Sequence, residues 1–284
     1  MIALARLVAV TSLAVVAAIS LPASAAFAQE VDEAKEPVRA TAVVNFSFDE
    51  ESGPAKDSAT AGTVPDEGKL AGDPVRVSSP FWNQTGKKAV QLDAAKMQFI
   101  EIADGADVDA ANAVSFGLLV VNLAETTDAA YHGLIAKRGT VDGKAFANYG
   151  INFTMQADTF QVYISDGGGY KVVNYSAKEA LPYRRLVYLT ATFQVADATM
   201  QDDDTDVDDV KIMLFANGEP LTPKAAPNGY VEKNVGWIKD ISVAGLLNNL
   251  PTTIGRSEAT GEYLSCVIDE FSLFDKALSP PQVK

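Results

Sequence analysis

Short runs in which apolar and polar residues alternate dominate the sequence from residue 41 onward, and Gly, Asn, Asp and Pro separate them. Successive side chains of a β-strand point to opposite faces, so each run predicts a strand with one buried face. In TAVVNFSFD, for example, Val44, Phe46 and Phe48 share a face. Helical periodicity is nearly confined to DISVAGLLNNL and the tail KALSPPQVK. We therefore predict an all-β fold, an antiparallel β-sandwich.

Two hairpins are predicted in the middle of the chain. In the first, YGINFTM and TFQVYIS flank the turn QAD, and each strand carries apolar residues at alternate positions, Ile151 and Phe153 in one and Phe160 and Val162 in the other. In the second, RRLVYLTATFQV pairs with DVKIMLFANGEPL, which ends in the turn signal Asn-Gly. No internal repeat or second domain is indicated.

The amino-terminal 28 residues have the layout of a secretory signal peptide. One basic residue, Arg6, precedes the apolar run LVAVTSLAVVAAIS, and small residues at Ala26 and Ala28 predict cleavage after Ala28. The apolar run is short for a membrane span, which needs about 20 residues. Charged residues 29–40 are expected to form a flexible leader, and residues 41–284 a single sandwich domain. Secretion, or retention in a periplasm or at the cell surface, is the expected destination, without membrane insertion of the mature chain.

The net charge limits the classes of partner that the protein is expected to bind, and the cysteine content limits its covalent cross-links. The net charge is −14 and the isoelectric point is near 4.5. Nucleic acids and anionic membranes favour basic surfaces, so neither is an expected partner. The single cysteine, Cys266, excludes an intrachain disulfide, and its apolar strand predicts a buried, inert thiol.

The order of motifs resembles the laminin-G-like, concanavalin A-like jelly-roll family of lectin-type and glucanase-type domains. The similar segments are FSFDEESGPAKDS, GKKAVQLDAAKMQFIEI, VSFGLLVV, VKIMLFANGEPL, TTIGRS and VIDEFSLFDKALSPPQV. They cover residues 41–283. The family often has a tryptophan in the strand matching SFGLLVV and another before LVYLTATF, and both are replaced here. The resemblance implies a concanavalin A-like jelly roll and a carbohydrate-binding function, without a sugar preference that can be transferred.

Two adjacent acids, Asp269 and Glu270, lie in the predicted closing strand SCVIDEFSLF. Strict alternation places one acid on each face, where an unpaired carboxylate costs several kcal/mol. The resemblance implies a structural calcium ion between an early acidic loop and a late strand, and Asp49, Asp57 and Asp269 are the predicted ligands, since calcium prefers oxygen. The alternative is that Asp269 accepts hydrogen bonds from a neighbouring loop and needs no metal.

A second acidic segment, QDDDTDVDD at residues 201–209, has aspartates at alternate positions. An EF-hand loop also requires an internal Gly and a terminal Glu, and this segment has neither. A solvated hairpin tip is the favoured interpretation.

Motifs for catalysis are missing from the sequence. The Glu-x-Asp-x-x-Glu strand of glucanases, a Gly-x-Ser-x-Gly elbow and zinc-type His and Cys spacings do not occur. The one histidine, His132, is expected at the surface in a loop at a strand edge. A non-enzymatic protein is therefore expected.

Aromatic residues in loops are the candidate ligand contacts, because sugar sites use rings that stack on the pyranose together with a few polar groups. Trp82 and Asn83 in SSPFWNQTG, Tyr170 after three glycines, and Tyr131 are the predicted ligand-binding residues. Each ring is also explained by packing beneath its own loop. The expected partner is a glycan or polysaccharide. The alternatives are a structural or adhesive protein that binds a cell-surface protein, and an enzyme with an unrecognised acid pair.

Overall fold

The computed structural model describes residues 36–82, 84–109, 111–197, 208–257 and 261–284. The predicted signal peptide and residues 29–35 of the predicted leader lie outside these ranges, as do Asn83 and residues 201–207 of the acidic segment. The described part of the leader includes one helical turn, Glu36–Arg39. Within the described residues, no helix combines the length and apolar character needed to cross a bilayer.

Strands make up most of the described chain, as predicted. Numbered along the sequence, they are β1 Val44–Phe46, β2 Ala55–Lys56, β3 Glu67–Ala71, β4 Val75–Ser78, β5 Lys88–Leu92, β6 Phe99–Ile102, β7 Ala113–Asn122, β8 His132–Val141, β9 Lys144–Thr154, β10 Thr159–Asp166, β11 Lys171–Tyr175, β12 Leu186–Ala196, β13 Asp209–Ala216, β14 Glu219–Pro220, β15 Gly229–Glu232, β16 Val235–Ile238, β17 Thr252–Ile254 and β18 Cys266–Phe274.

Helical segments within the described ranges are single turns. The α-helical turns are α1 Glu36–Arg39, α2 Ala177–Ala180, α3 Val243–Leu246 and α4 Pro280–Val283, and the 3₁₀ turns are Ala94–Lys96 and Ala106–Val108.

The strands form two antiparallel sheets that pack face to face. The ten-stranded sheet has the order β15-β16-β13-β12-β7-β18-β5-β4, with β1 paired to β18 and β14 to β13. The eight-stranded sheet has the order β11-β10-β9-β8-β17-β6-β3-β2. Pairing of β1 with β18 brings the first and last strands together, as expected. The predicted all-β antiparallel sandwich is confirmed.

The main core lies between the sheets and joins both predicted hairpins. Ile151 and Phe153 of β9 pair with Val162 and Phe160 of β10, so the two predicted strands form a hairpin. The ring of Phe116 in the ten-stranded sheet lies 5.8 Å, between centroids, from that of Tyr149 in the eight-stranded sheet. Apolar residues at alternate positions therefore form the core, which is the source of the sequence pattern.

A small second cluster lies on the outer face of the ten-stranded sheet. Phe215 and Phe274 point outward there, and Leu278 and Val283 of the carboxy-terminal segment and Val38 of α1 pack over them. Both ends of the described chain thus cover this face. A capping box at Ser279 and Gln282 fixes the start of α4.

The closing strand departs from strict alternation. The pairing of β18 with β7 shifts register between Asp269 and Ser272, and Glu270 takes a left-handed backbone conformation with φ of 51°. A bulge of this kind inserts one residue and reverses the faces beyond it. Cys266 and Ile268 therefore face the core before the bulge, and Phe271 and Leu273 face it afterwards. The predicted faces beyond residue 269 were wrong for this reason.

Candidate functional site

An open pocket of about 230 Å³ lies on the outer face of the eight-stranded sheet. We call it the tyrosine pocket. Its lining residues are Tyr131, Arg138, Asn152, Gln161, Tyr163, Tyr170, Val172 and Glu262. Strands β8 to β11 form its floor, and the loops that carry Tyr131, Tyr170 and Glu262 form its walls.

Alternation along β9 and β10 explains the polar floor. Asn152 lies between core residues Ile151 and Phe153, and Gln161 lies between core residues Phe160 and Val162. Asn152 and Gln161 are direct cross-strand partners, so their amides are neighbours on the outward face. The same hydrophobic pattern that forms the core therefore brings two amides together outside it.

Tyr163 packs closely on the sheet beneath it. A Cβ atom at Gly150, its cross-strand partner, would lie only 2.2 Å from the Tyr163 ring, so only glycine fits beneath this tyrosine. Burial raises the pKa of Tyr163 to about 12, although the neighbouring Arg138 lowers it. The hydroxyl therefore remains protonated at neutral pH and is available for hydrogen bonding.

The guanidinium group of Arg138 contacts the rings of both Tyr163 and Tyr170. The guanidinium carbon of Arg138 lies 4.2 Å from the centroid of the Tyr170 ring and 5.3 Å from that of Tyr163. Its Nη1 donates to the Tyr163 hydroxyl at 3.2 Å and lies 3.5 Å from Oε2 of Glu262. Cation–π contacts of this kind contribute about 0.5–2 kcal/mol, and here they orient both rings.

The loop before Tyr170 is held at its base. Gly167 and Gly169 take left-handed backbone conformations, which favour glycine. The carboxylate of Asp166 accepts hydrogen bonds from the backbone amides of Gly168 and Ser242. These contacts place Tyr170 beside Tyr163, with the rings edge to face at 5.4 Å.

An acceptor in the tyrosine pocket has no protein donor. The side-chain oxygen Oδ1 of Asn152 makes no hydrogen bond, although the residue is only 7% exposed. Leaving a buried polar atom unpaired costs about 1–3 kcal/mol.

The predicted ligand residues divide between two places. Tyr131, which is 42% exposed, and Tyr170 both line the tyrosine pocket. Trp82 follows β4 of the ten-stranded sheet and does not line it, and its half-buried indole has an Nε1 atom without a partner. Asn83 lies outside the described residues. The sequence analysis missed Asn152, Gln161 and Tyr163, although alternation already places all three opposite the core residues.

The three predicted calcium ligands are not brought into one group. Among the described residues, the acids whose ligand oxygens lie within 4.8 Å of one another are Asp208, Asp209 and Asp240 instead. Asp57 accepts hydrogen bonds from the backbone amides of Asn45 and Ala59. A calcium ion held by Asp49, Asp57 and Asp269 stays a prediction.

Asp49 and Asp269 lie near each other but have separate protein partners. Asp49 accepts from Nζ of Lys87 at 2.7 Å and from the backbone amide of Lys88. Asp269 accepts from the hydroxyl of Ser79 at 2.6 Å and from the backbone amide of Glu270. Burial, with a smaller contribution from Asp49, raises the pKa of Asp269 to about 7. These are contacts of the kind that the metal-free alternative requires.

Glu270 is paired as well. Its buried carboxylate forms an ion pair with Arg39 of α1. The two adjacent acids of the closing strand thus contact different parts of the chain, Ser79 after β4 and the helical turn near the amino terminus.

The two residues whose side chains could be reactive, His132 and Cys266, are both buried in the fold. His132 is buried, so the expectation of a surface histidine was wrong; its ring nitrogens lie 2.9 Å from the carbonyl oxygen of Tyr263 and 3.1 Å from Oδ2 of Asp128. Cys266 is fully buried, as predicted, and burial raises the pKa of its thiol.

Lys137, next to Arg138 in β8, has a different environment. Its side chain is fully buried, and its ammonium contacts the carboxylates of Asp104 and Asp109 and the carbonyl oxygen of Leu250. Neighbouring strand positions thus place one cation inside the fold and the other in the pocket.

Comparison with known proteins supports the fold. No family model matches the chain, and no curated protein matches it either. The solved binding domain of a paraclostridial mosquitocidal protein is 13% identical, with a TM-score of 0.55 over 87% of this chain and 51% of its own. These values show a shared fold and nothing more.

Two botulinum neurotoxin structures are also similar, each 10% identical. One concerns type C, whose cell entry depends on interaction with two ganglioside molecules, and has a TM-score of 0.58 over 87% of this chain and 51% of its own. The other, the binding domain of type DC in complex with rat synaptotagmin II, has a TM-score of 0.56 over 86% and 50%. This chain spans about half the length of these structures.

Proposed function

We propose that the protein is an exported, non-catalytic, lectin-like module that binds a glycan in the tyrosine pocket. The observation that carries this proposal is the combination of tyrosine rings with the amides of Asn152 and Gln161 around one cavity. Sugars present apolar ring faces and many hydroxyl donors, which suit such a surface.

The similar solved structures add support at the level of architecture. They are binding domains or toxins with binding functions, and their described ligands include gangliosides and a synaptotagmin. We therefore propose a glycan or a cell-surface protein as partner, and a diverged laminin-G-like jelly roll as the family. Export is proposed from the sequence of residues 1–28.

The pocket chemistry favours binding over hydrolysis. Glycosidases with a retaining mechanism use two carboxyl groups about 5 Å apart. Among the lining residues that the structure describes, Glu262 carries the single carboxyl group, and it contacts Arg138 and the hydroxyl of Ser257. This carboxylate is arranged as a hydrogen-bond acceptor and not as half of an acid pair.

A glycan panel tests the function. The protein, residues 29–284, is incubated with immobilised glycans and polysaccharides in calcium and again in chelator. Binding to one class, reduced by Tyr131→Ala and by Gln161→Ala, is the expected result. Gln194→Ala is the matched control, because Gln194 is an exposed amide on β12 of the other sheet. No binding in either buffer would replace the proposal with that of an adhesive protein with a protein partner.

Calcium remains a separate proposal with its own test. If an ion binds at Asp49, Asp57 and Asp269, chelator will lower the melting temperature, because an ion bound only by the folded state stabilises it. An unchanged melting temperature would remove calcium from the proposal and leave the glycan pocket as it stands.

A further inference from the structure

The charges in the tyrosine pocket bear on which glycan it accepts, an inference that rests on the proposed function. Arg138 and Glu262 are the charged residues among its described lining residues, and they form an ion pair. The Arg138 side chain is only 7% exposed, and both tyrosine rings lie against its guanidinium. The positive charge is thus neutralised and covered, whereas the Glu262 side chain remains 27% exposed.

The exposed carboxylate of Glu262 bears on acidic ligands. A ligand carboxylate in the tyrosine pocket would lie near the carboxylate of Glu262 within a protein of net charge −14. Like charges at such distances repel, and the repulsion is strongest where water is partly excluded.

The size of the cavity limits the ligand further. Sites for drug-sized ligands measure about 300–1,000 Å³. The tyrosine pocket, at about 230 Å³, is smaller and suits a single sugar unit.

We infer that the tyrosine pocket selects one neutral, hydroxyl-rich sugar unit and rejects sugars that carry a carboxylate, and that Glu262 enforces this choice. Arg138 acts as a positioning residue, since it holds the tyrosine rings and is neutralised by Glu262.

The experiment compares matched pairs of methyl glycosides that differ only at C6, a glucoside with a glucuronide and a galactoside with a galacturonide. Affinities are measured by NMR titration of the purified protein. The neutral member of at least one pair is expected to bind at least about tenfold more tightly, because a ligand carboxylate would lie near a like charge. Glu262→Gln, which keeps the shape and removes the negative charge, is expected to bring the two members of the pair to similar affinity.

Glu219→Gln is the matched control, because Glu219 is an exposed carboxylate in β14 of the other sheet. It removes the same net charge and should leave the preference unchanged. Acidic sugars that bind the unmodified protein as well as their neutral partners would overturn the inference while glycan binding stands. A protein that binds no glycoside of either type and no glycan of the panel would overturn the proposed function as well.

Discussion

The outer faces of the two sheets differ in what covers them. On the ten-stranded sheet, α1 and the carboxy-terminal segment pack over Phe215 and Phe274, and the acids of the closing strand have protein partners. On the eight-stranded sheet, side chains surround a pocket and the Asn152 oxygen has no protein donor. Other segments of the described chain cover part of one face, whereas the other face has an open pocket. Stability and binding should therefore respond to substitutions on different faces.

The largest expected effect is on the covered face. Phe274→Ala removes a ring that is 3% exposed from the small cluster, and Phe to Ala changes in a core cost about 3–5 kcal/mol. The melting temperature should fall sharply, as followed by circular dichroism. Glycan affinity measured well below the melting temperature should be unchanged. A large loss of affinity in a folded variant would show that the two faces are coupled.

The acid on the covered face, Asp269, should make the free energy of unfolding depend on pH. Because burial raises the folded-state pKa of Asp269 from 3.8 to about 7, the folded protein retains a proton that the unfolded chain releases. The associated stabilisation is complete below pH 3.8 and is lost as the pH rises through 7. Asp269→Asn should therefore flatten the decline in stability between pH 5 and pH 8.

Urea denaturation of both proteins at several pH values measures this difference. Asp66, whose pKa burial raises to about 6, titrates in the same window in both proteins and cancels in the comparison. If the free energy of unfolding changes equally with pH in the unmodified protein and in Asp269→Asn, Asp269 is already ionised at pH 5.

The smallest expected effect distinguishes the two predicted aromatic sites. Tyr170→Ala removes a wall of the tyrosine pocket and should weaken glycan binding about tenfold, or about 1.4 kcal/mol. Trp82→Ala should leave the affinity unchanged, since Trp82 does not line the pocket. Isothermal titration with a bound glycan measures both. The reverse result would move the site to the loop after β4.

The sequence predicted the sandwich because its evidence is local. Alternation with period two in segments such as YGINFTM and TFQVYIS specifies both the strand and its buried face, and β9 and β10 pair as expected. The bulge at Glu270 was not predictable in this way, since no glycine marks its left-handed backbone conformation. A single inserted residue then changed which side chains of β18 face the core.

The candidate site was only partly predictable for a different reason. Tyr131 and Tyr170 could be selected as loop aromatics, and both line the pocket. Arg138 and Glu262 lie far apart in the sequence and meet only because β8 lies beside the loop before β18. Their pairing depends on tertiary structure, and so does the contrast between Arg138 and its buried neighbour Lys137.

The two ends of the described residues lie on the same face of the sandwich, which has a practical consequence for display. Val38 and Val283 both pack on the outer face of the ten-stranded sheet, opposite the tyrosine pocket. A carrier or solid support attached after Lys284 would therefore lie beside the outer face of the ten-stranded sheet, away from the tyrosine pocket. Copies anchored in this way would all present their pockets toward the solution, so an array built from this chain needs no engineered orientation.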